Sequence, residues 1–216
     1  MASLKYRNFI KVKKGTKDFF GGDQAWWKDE NETMCEVGCG VIALCNLELY
    51  VDGVSRKGIT IEEYKSYVDK RYTEAYPINK GNKFKKLGLL PLVMERGLDR
   101  FYNGRGINPV ISWCPTVNKR RIRKLLEKML DNNIPVVASY YVFNKKNKLD
   151  LYSYNEKTKD FDKVSGIRRH YFNIVGITRR QGRDLLVIST WGERYYADYK
   201  QWVKKLSLFS NILYVE

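Results

Sequence analysis

Patterns that predict helices come first in this chain, and patterns that predict strands follow. The helical patterns run from about Cys39 to Leu49, Ile59 to Val68, Leu89 to Tyr102 and Asn118 to Asn132. The strand patterns run from Val136 to Phe143, Leu149 to Tyr154, His170 to Ile177, Asp184 to Thr190, Arg194 to Ala197 and Leu208 to Val215. This order predicts an α+β fold, with an N-terminal helical layer packed on a C-terminal antiparallel sheet.

Local signals define several ends of these elements. Thr60 followed three residues later by Glu63 predicts a capping box at the start of the second helix. Asp198 is expected to cap a short helix that reaches Leu206. The segment 144–147, Asn-Lys-Lys-Asn, predicts a turn that joins its two flanking strands in a hairpin. Residues 1–14 are basic and mixed, and are expected to form an edge strand or an arm.

The length and composition favour one globular domain over residues 1–216. Hydrophobic residues make up 44% of the 216 residues, which is enough to bury a core. No apolar stretch approaches the roughly 18 residues that cross a bilayer, so no membrane span is expected. The start of the chain lacks the apolar segment of a secretory signal. We therefore expect a cytoplasmic protein, or a secreted one if a leader has been removed.

The formal net charge of +16 suggests an anionic partner or substrate. The charge is spread along the chain, and the helix predicted from Asn118 to Asn132 carries part of it on the side opposite an apolar face. Zinc-finger spacing, an RNP-type strand and a clear helix-turn-helix are not recognisable in the sequence, so specific reading of bases is not expected. An acidic peptide or protein, a cell-wall polymer and a nucleic acid backbone stay open as partners.

The four cysteines do not predict a metal site. Cys35 and Cys39 have a spacing that zinc would accept, but no second pair follows, and the single histidine of the chain is far away. Cys45 and Cys114 lie in apolar surroundings. No metal and no cofactor is expected.

One cysteine and the single histidine form a possible catalytic pair. Cys39 precedes the apolar run Val41–Leu49, so it is expected at the N-terminus of a buried helix, where the helix dipole favours a thiolate. The dipole alone lowers a thiol pKa by about one unit at most, so an imidazolium partner is needed. His170, at the head of an apolar strand, is the one side chain of this kind.

Three motifs resemble those of the papain-like cysteine peptidases. Cys39-Gly40 opens a helix, His170 begins a strand that reaches Gly176, and a later strand ends in Ser189-Thr-Trp191-Gly192. The resemblance is closer to the bacterial branch that includes the peptidase domains of bacteriocin-exporting transporters. It implies a papain-like fold and a cysteine nucleophile with a histidine base. Gly40, Trp191 and Gly192 match the family as site-supporting residues.

The residue that orients the imidazole departs from the family pattern. The family places Asn or Asp where this chain has Ser189, whose hydroxyl is a weaker acceptor. Asn173 is an odd number of residues from His170 on one strand, so it is expected on the other face. Thr190 is expected to face away as well. Ser189 is therefore the predicted orienting residue.

The oxyanion hole departs from the pattern too. The family has a glutamine about six residues before the nucleophile, and this chain has Thr33 there. We expect an inserted loop, Asp29 to Met34, to bring Gln24 back over the helix N-terminus as one donor, with the backbone N–H of Cys39 as the other. In the alternative interpretation, Gln24 belongs to a turn and its amide is solvated.

Two functions from different classes follow. The first is a cysteine-dependent amide hydrolase, most simply a peptidase, in which Cys39 and His170 react and Ser189 orients the imidazole. The same residues would support other acyl transfers, because the second nucleophile decides the product. The alternative is a catalytically weak papain-like fold that binds an anionic partner.

Overall fold

A computed structural model describes residues 1–78, 88–115, 119–207 and 209–216. In chain order its helices and strands are β1 (Lys11–Lys14), β2 (Lys17–Phe20), α1 (Glu32–Val37), α2 (Cys39–Val51), β3 (Ile59–Thr60), α3 (Ile61–Glu74), α4 (Pro91–Asn103), β4 (Ile111–Pro115), α5 (Lys119–Asp131), β5 (Val136–Tyr141), β6 (Leu149–Asn155), β7 (Asp160–Ile167), β8 (Arg169–Arg180), β9 (Arg183–Thr190), β10 (Glu193–Asp198), α6 (Tyr199–Lys205) and β11 (Asn211–Val215). The described residues thus combine six α-helices with two sheets, and the mixed class predicted from the sequence is confirmed.

The larger sheet has eight antiparallel strands in the order β4-β11-β5-β8-β9-β10-β6-β7. β8 and β9 lie in its centre, and the apolar middle of each strand is largely buried. The predicted hairpin of β5 with β6 is wrong, because β5 pairs with β11 and β8, and β6 pairs with β10 and β7. The polar strand β7 was absent from the sequence prediction, and it takes the place beside β6, with Leu149 opposite Ile167.

The helix α2 lies buried between the other helices and the sheet. Its residues from Gly40 to Tyr50 are all buried, because apolar side chains cover most of its circumference. On the sheet side, the Asn173 side-chain amide in β8 donates a hydrogen bond of 2.8 Å to the Ala43 carbonyl oxygen. The first turn of α2 is therefore fixed relative to the first half of β8.

On the other side, α2 is tied to α3 through a buried carboxylate. Glu48 accepts hydrogen bonds from the Arg71 guanidinium, from the Tyr67 hydroxyl at 2.8 Å and from the Tyr76 hydroxyl at 2.5 Å. Burial raises the pKa of this carboxyl group, and the bonds from Arg71, Tyr76 and Tyr67 act in the opposite direction. The cluster holds α2 against its neighbours.

The N-terminal segment was predicted to form an edge strand or an arm, but its strand β1 lies in the centre of a small three-stranded sheet. β1 pairs with β2 on one side and with β3 on the other. Ahead of it, Ser3 forms an isolated bridge with Gly176 of β8. After β2, the Phe20 N–H donates to the Gly192 carbonyl oxygen at 2.7 Å, and the Gly192 N–H donates to the Gly22 carbonyl oxygen. The segment from Phe20 to Gly22 is thereby held against the turn between β9 and β10.

Several local predictions are confirmed. Thr60 and Glu63 form the capping box of α3, and the Asp198 side chain caps α6 by accepting from the Gln201 N–H. The basic helix predicted from Asn118 is α5. Among the residues that the structure describes, no helix has the length and apolar character needed to cross a membrane.

Candidate active site

Cys39 is the first residue of α2, directly after Gly38. Gly38 makes no side-chain cap, so it occupies none of the first N–H groups of the helix with a side chain. Burial raises the pKa of the Cys39 thiol, and the backbone N–H groups of Tyr171, Gly40 and Cys39 itself act in the opposite direction. One of these N–H groups belongs to Tyr171, the residue after His170.

Gly40 allows the sheet to approach this end of the helix. A Cβ atom at this position would lie 3.1 Å from the Leu89 Cβ and 3.3 Å from the Tyr171 Cδ2. The Tyr171 hydroxyl donates to the Leu89 carbonyl oxygen at 3.1 Å. Gly40 therefore has a steric role beside the nucleophile, because a side chain there would push the Tyr171 ring away.

His170 is the second residue of β8 and lines the same cavity as Cys39. Its Nε2 lies 2.6 Å from the Thr190 Oγ1, and the Trp191 ring covers it, with ring centroids 4.9 Å apart. Among the described residues, none forms a hydrogen bond with the other ring nitrogen, Nδ1. Burial lowers the pKa of His170 to about 4, so the imidazole is neutral at pH 7 although part of its surface reaches solvent.

Thr190, and not Ser189, contacts the imidazole, which corrects the sequence prediction. Asn173 and Ser189 lie directly opposite each other in the pairing of β8 with β9, so they share one face. His170 is three residues from Asn173 and Thr190 is one from Ser189, so both lie on the other face. The register between the two strands decides which hydroxyl contacts the imidazole. An alignment to the family motif does not include that register.

Ser189 serves a different purpose. Its hydroxyl donates a hydrogen bond of 2.8 Å to the Phe20 carbonyl oxygen. On the same side, the Asn46 side-chain carbonyl oxygen accepts from the Tyr64 hydroxyl and the Gly22 N–H, and its amide donates to the Asn173 side chain. These buried groups form the floor below Cys39 and have hydrogen-bond partners within the protein. As predicted, Asn173 is turned away from His170.

The turn after Thr190 has an unusual backbone. Trp191 and Gly192 have φ values of 51° and 71° and connect the paired residues Thr190 and Glu193, as in a type I′ turn. A left-handed conformation costs a non-glycine residue about 1–2 kcal/mol, and such strain clusters at functional sites. The conformation places the Trp191 ring over His170. A Cβ atom at Gly192 would lie 3.0 Å from the Phe19 Cδ1, so glycine is needed there for space as well.

Gln24 lines the cavity, as predicted, but the segment that places it there differs from the predicted loop. It begins a short 3₁₀ helix that ends at Trp27, and it lines the cavity with Cys39 and His170. Its Nε2 donates to the Cys35 carbonyl oxygen at 2.6 Å, whereas its buried Oε1 has no partner among the described residues. The interval Asp29 to Met34 is not a loop throughout, because α1 begins within it and supplies the Cys35 carbonyl that orients the amide.

A second depression opens on the outer side of the same pair. It is lined by Cys39 and His170 together with Glu36, Val37, Gly88, Ser139, Tyr140, Tyr141, Arg169, Tyr171 and Phe209. We call this depression the outer groove. Cys39, His170 and Tyr171 line both the outer groove and the inner cavity, whereas Gln24, Thr190 and Trp191 line only the inner cavity.

Within the described ranges, no group of three or more His, Cys, Asp and Glu side chains is placed to hold a metal ion. The four cysteines are reduced. No protein-family model matches the sequence, and no curated protein matches it.

Proposed function

We propose that this chain is a cysteine-dependent amide hydrolase of the papain-like type, most simply a peptidase. The observation that carries the proposal is the meeting of Cys39 and His170 at one cavity, with the sulfur at a helix N-terminus and the imidazole held by Thr190 under Trp191. These elements come from positions far apart in the sequence. A nucleophile, a base and an orienting group in this arrangement suit acyl transfer.

In the proposed reaction, the Cys39 Sγ attacks the carbonyl carbon of an amide while the His170 Nδ1 takes the thiol proton. The resulting oxyanion receives hydrogen bonds from the Cys39 N–H and from the second hydrogen of the Gln24 amide. When the C–N bond breaks, the imidazolium gives its proton to the leaving amine. Water then attacks the thioester with His170 as base, which releases the acid and restores the thiol.

Thr190 and Trp191 are positioning residues in this scheme. A Thr190 hydroxyl that accepts from Nε2–H selects the tautomer with a free Nδ1, which is the form that a base requires. Because the hydroxyl is neutral, it raises the basicity of the imidazole less than a carboxylate would. The Trp191 ring excludes water from this hydrogen bond.

Alkylation by iodoacetamide at pH 6.5 tests the proposal without a known substrate. If His170 removes the thiol proton, Cys39 should react about tenfold faster than Cys114 in the same chain, as mass spectrometry of both peptides would measure. In His170→Ala the Cys39 rate should fall to that of Cys114 or below, with the Cys114 rate unchanged. Equal rates at the two cysteines in the wild-type protein would contradict the proposal.

A matched pair of variants tests which hydroxyl serves His170. Thr190→Val removes the hydroxyl at nearly constant shape and should slow Cys39 alkylation about fivefold, the value of one neutral hydrogen bond of about 1 kcal/mol. Ser189→Ala should leave the alkylation rate within about twofold and lower the free energy of unfolding by about 1 kcal/mol in urea titrations. The reverse pattern would return the orienting role to Ser189.

One observation favours the second candidate, a weakly catalytic fold that binds an anionic partner. Burial raises the Cys39 pKa and lowers that of His170, so both groups favour their neutral forms at rest. In that case Cys39 alkylation should rise steadily up to alkaline pH, without a plateau near neutrality. A protein with +16 charge would then bind an anionic polymer with an affinity that decreases steeply with salt.

A further inference from the structure

Three aromatic side chains form a cluster at the rim of the outer groove. The ring of Phe143 packs edge-on against Tyr141 and Phe209, with centroids 5.4 Å away in both contacts. Phe143 and Phe209 are 60% and 58% exposed, which is high for phenylalanine. Tyr141 and Phe209 also line the groove that Cys39 and His170 line. The cluster is therefore an exposed apolar surface next to the reacting groups.

Arg169 lies on this cluster and is adjacent in sequence to His170. Its guanidinium carbon is 5.1 Å from the centroid of Tyr141 and 5.7 Å from that of Phe143. Among the described residues no carboxylate forms an ion pair with Arg169, whereas Arg71 and Arg105 each have one and Arg123 has two. The rings hold the guanidinium in place while its N–H donors stay free for a ligand.

The groove carries an unpaired carboxylate as well. Glu36, in α1, is exposed and lines the groove with Arg169, and no described residue forms an ion pair with it. Both groups line the groove, yet they do not pair with each other, so each is available to a substrate. A substrate with an anionic group would be favoured near Arg169 and disfavoured near Glu36.

We infer that Arg169, held by Tyr141 and Phe143, binds a carboxylate of the substrate close to the amide that Cys39 attacks. The inference rests on the proposed function, since it assigns a substrate class to the same site. The bidentate geometry of a guanidinium matches a carboxylate, and the aromatic rings supply apolar contact for the rest of the residue that carries it. The substrate class is an acyl compound or peptide with a carboxylate near the scissile bond.

Two alkylating reagents of nearly equal size test this inference. Iodoacetate carries a carboxylate and iodoacetamide does not. The rate of iodoacetate divided by that of iodoacetamide is measured at Cys39 and again for free glutathione. The Cys39 ratio divided by the glutathione ratio reports the local preference for an anion. We expect this normalised ratio to fall about tenfold in Arg169→Gln, the lower end of what a charged hydrogen bond contributes. In Glu36→Gln it should rise.

The control is Arg180→Gln, which makes the same change of charge at the far end of β8. Eleven residues of strand at roughly 3.3 Å each separate it from Arg169, well beyond the Debye length of about 8 Å. Arg180→Gln should therefore leave the ratio at the wild-type value. The iodoacetamide rate in Arg169→Gln reports whether the site itself has stayed intact.

The outcomes separate this inference from the proposed function. If Cys39 reacts no faster than Cys114 with either reagent, both the function and the inference are overturned. If iodoacetamide reacts fast but the ratio is the same in wild type and Arg169→Gln, the function stands and the anionic site does not exist. A ratio that falls equally in Arg180→Gln would also overturn the inference, because net charge would then explain the preference.

Chloroacetyl amino acids distinguish the two sources of a carboxylate. The pair chloroacetyl-leucine and its amide differs in a terminal carboxylate, and the amides of chloroacetyl-aspartate and chloroacetyl-asparagine differ in a side-chain carboxylate. The pair whose rate ratio at Cys39 depends on Arg169 identifies the source. If neither ratio changes in Arg169→Gln, the inference fails for substrates larger than iodoacetate.

Discussion

Glu48→Ala is expected to lower the free energy of unfolding by about 3–5 kcal/mol, a large part of the stability of a domain of this size. The substitution leaves the Arg71 charge without its carboxylate in a mostly buried position and removes the acceptor for the Tyr67 and Tyr76 hydroxyls. Urea denaturation followed by circular dichroism would measure the change.

Two further variants make this prediction specific. Glu74→Ala removes an exposed carboxylate from the end of α3 and should change the stability by no more than about 0.5 kcal/mol. The double variant Glu48→Leu/Arg71→Leu removes both charges, and its loss of stability should be smaller than the sum of the two single losses. Additive losses would show that the two groups do not interact, contrary to the structure.

The free energy of unfolding should decrease as the pH falls, because the unfolded chain protonates His170 more readily than the folded protein does. His170→Gln should remove that part of the pH dependence. Burial lowers the folded-state pKa to about 4, against an ordinary value of 6.5. Between these values the unfolded chain binds a proton that the folded protein does not. The contribution is therefore intact above pH 6.5 and is lost as pH falls to 4, by at most about 3 kcal/mol, since the ring keeps partial solvent contact.

Parallel urea titrations of wild type and His170→Gln between pH 4 and 7.5 would measure this effect. Carboxylates titrate in both proteins, so their contribution cancels in the difference between the two curves. The difference should be constant above pH 6.5 and shift in favour of the variant below it. Parallel curves over the whole range would mean that His170 keeps an ordinary pKa in the folded protein, which would make it a better base near neutral pH.

Much of the site could be predicted because it depends on local sequence. Cys39 precedes an apolar run that can only be buried as a helix, and a helix start exposes its N–H groups wherever the helix packs. The strand that contains His170 could be predicted as well, because the apolar run that follows His170 is also a local pattern. The capping residues Thr60 and Asp198 are recognised equally well, because a cap is a contact over three residues.

The wrong predictions share a physical cause, which is that strand pairing is not local. Thr190 was expected to face away from His170, but the register between two strands decides which of their residues lie on the same face of the sheet. The predicted hairpin of β5 with β6 is wrong for a similar reason, because β7 is polar and alternates weakly, so its pairing with the edge of β6 could not be predicted from the sequence. Thr190 could have been identified if Ser189 had been paired with Asn173. Thr190 is one residue from Ser189 and His170 is three from Asn173, so both then lie on the opposite face of the sheet.

The sequence by itself determined the mixed class, the helix that begins at Cys39, the strand of His170 and the overall positive charge, because periodicity and capping act within a few residues. Only the tertiary structure decided that Thr190 holds the imidazole, that Gln24 is oriented by the Cys35 carbonyl, and that Arg169 lies on Tyr141 and Phe143 with no ion pair to a described residue. It also decided the direction of the His170 pKa. Each of these depends on how segments far apart in the sequence pack together. The contacts and the burial that result cannot be predicted from any one segment.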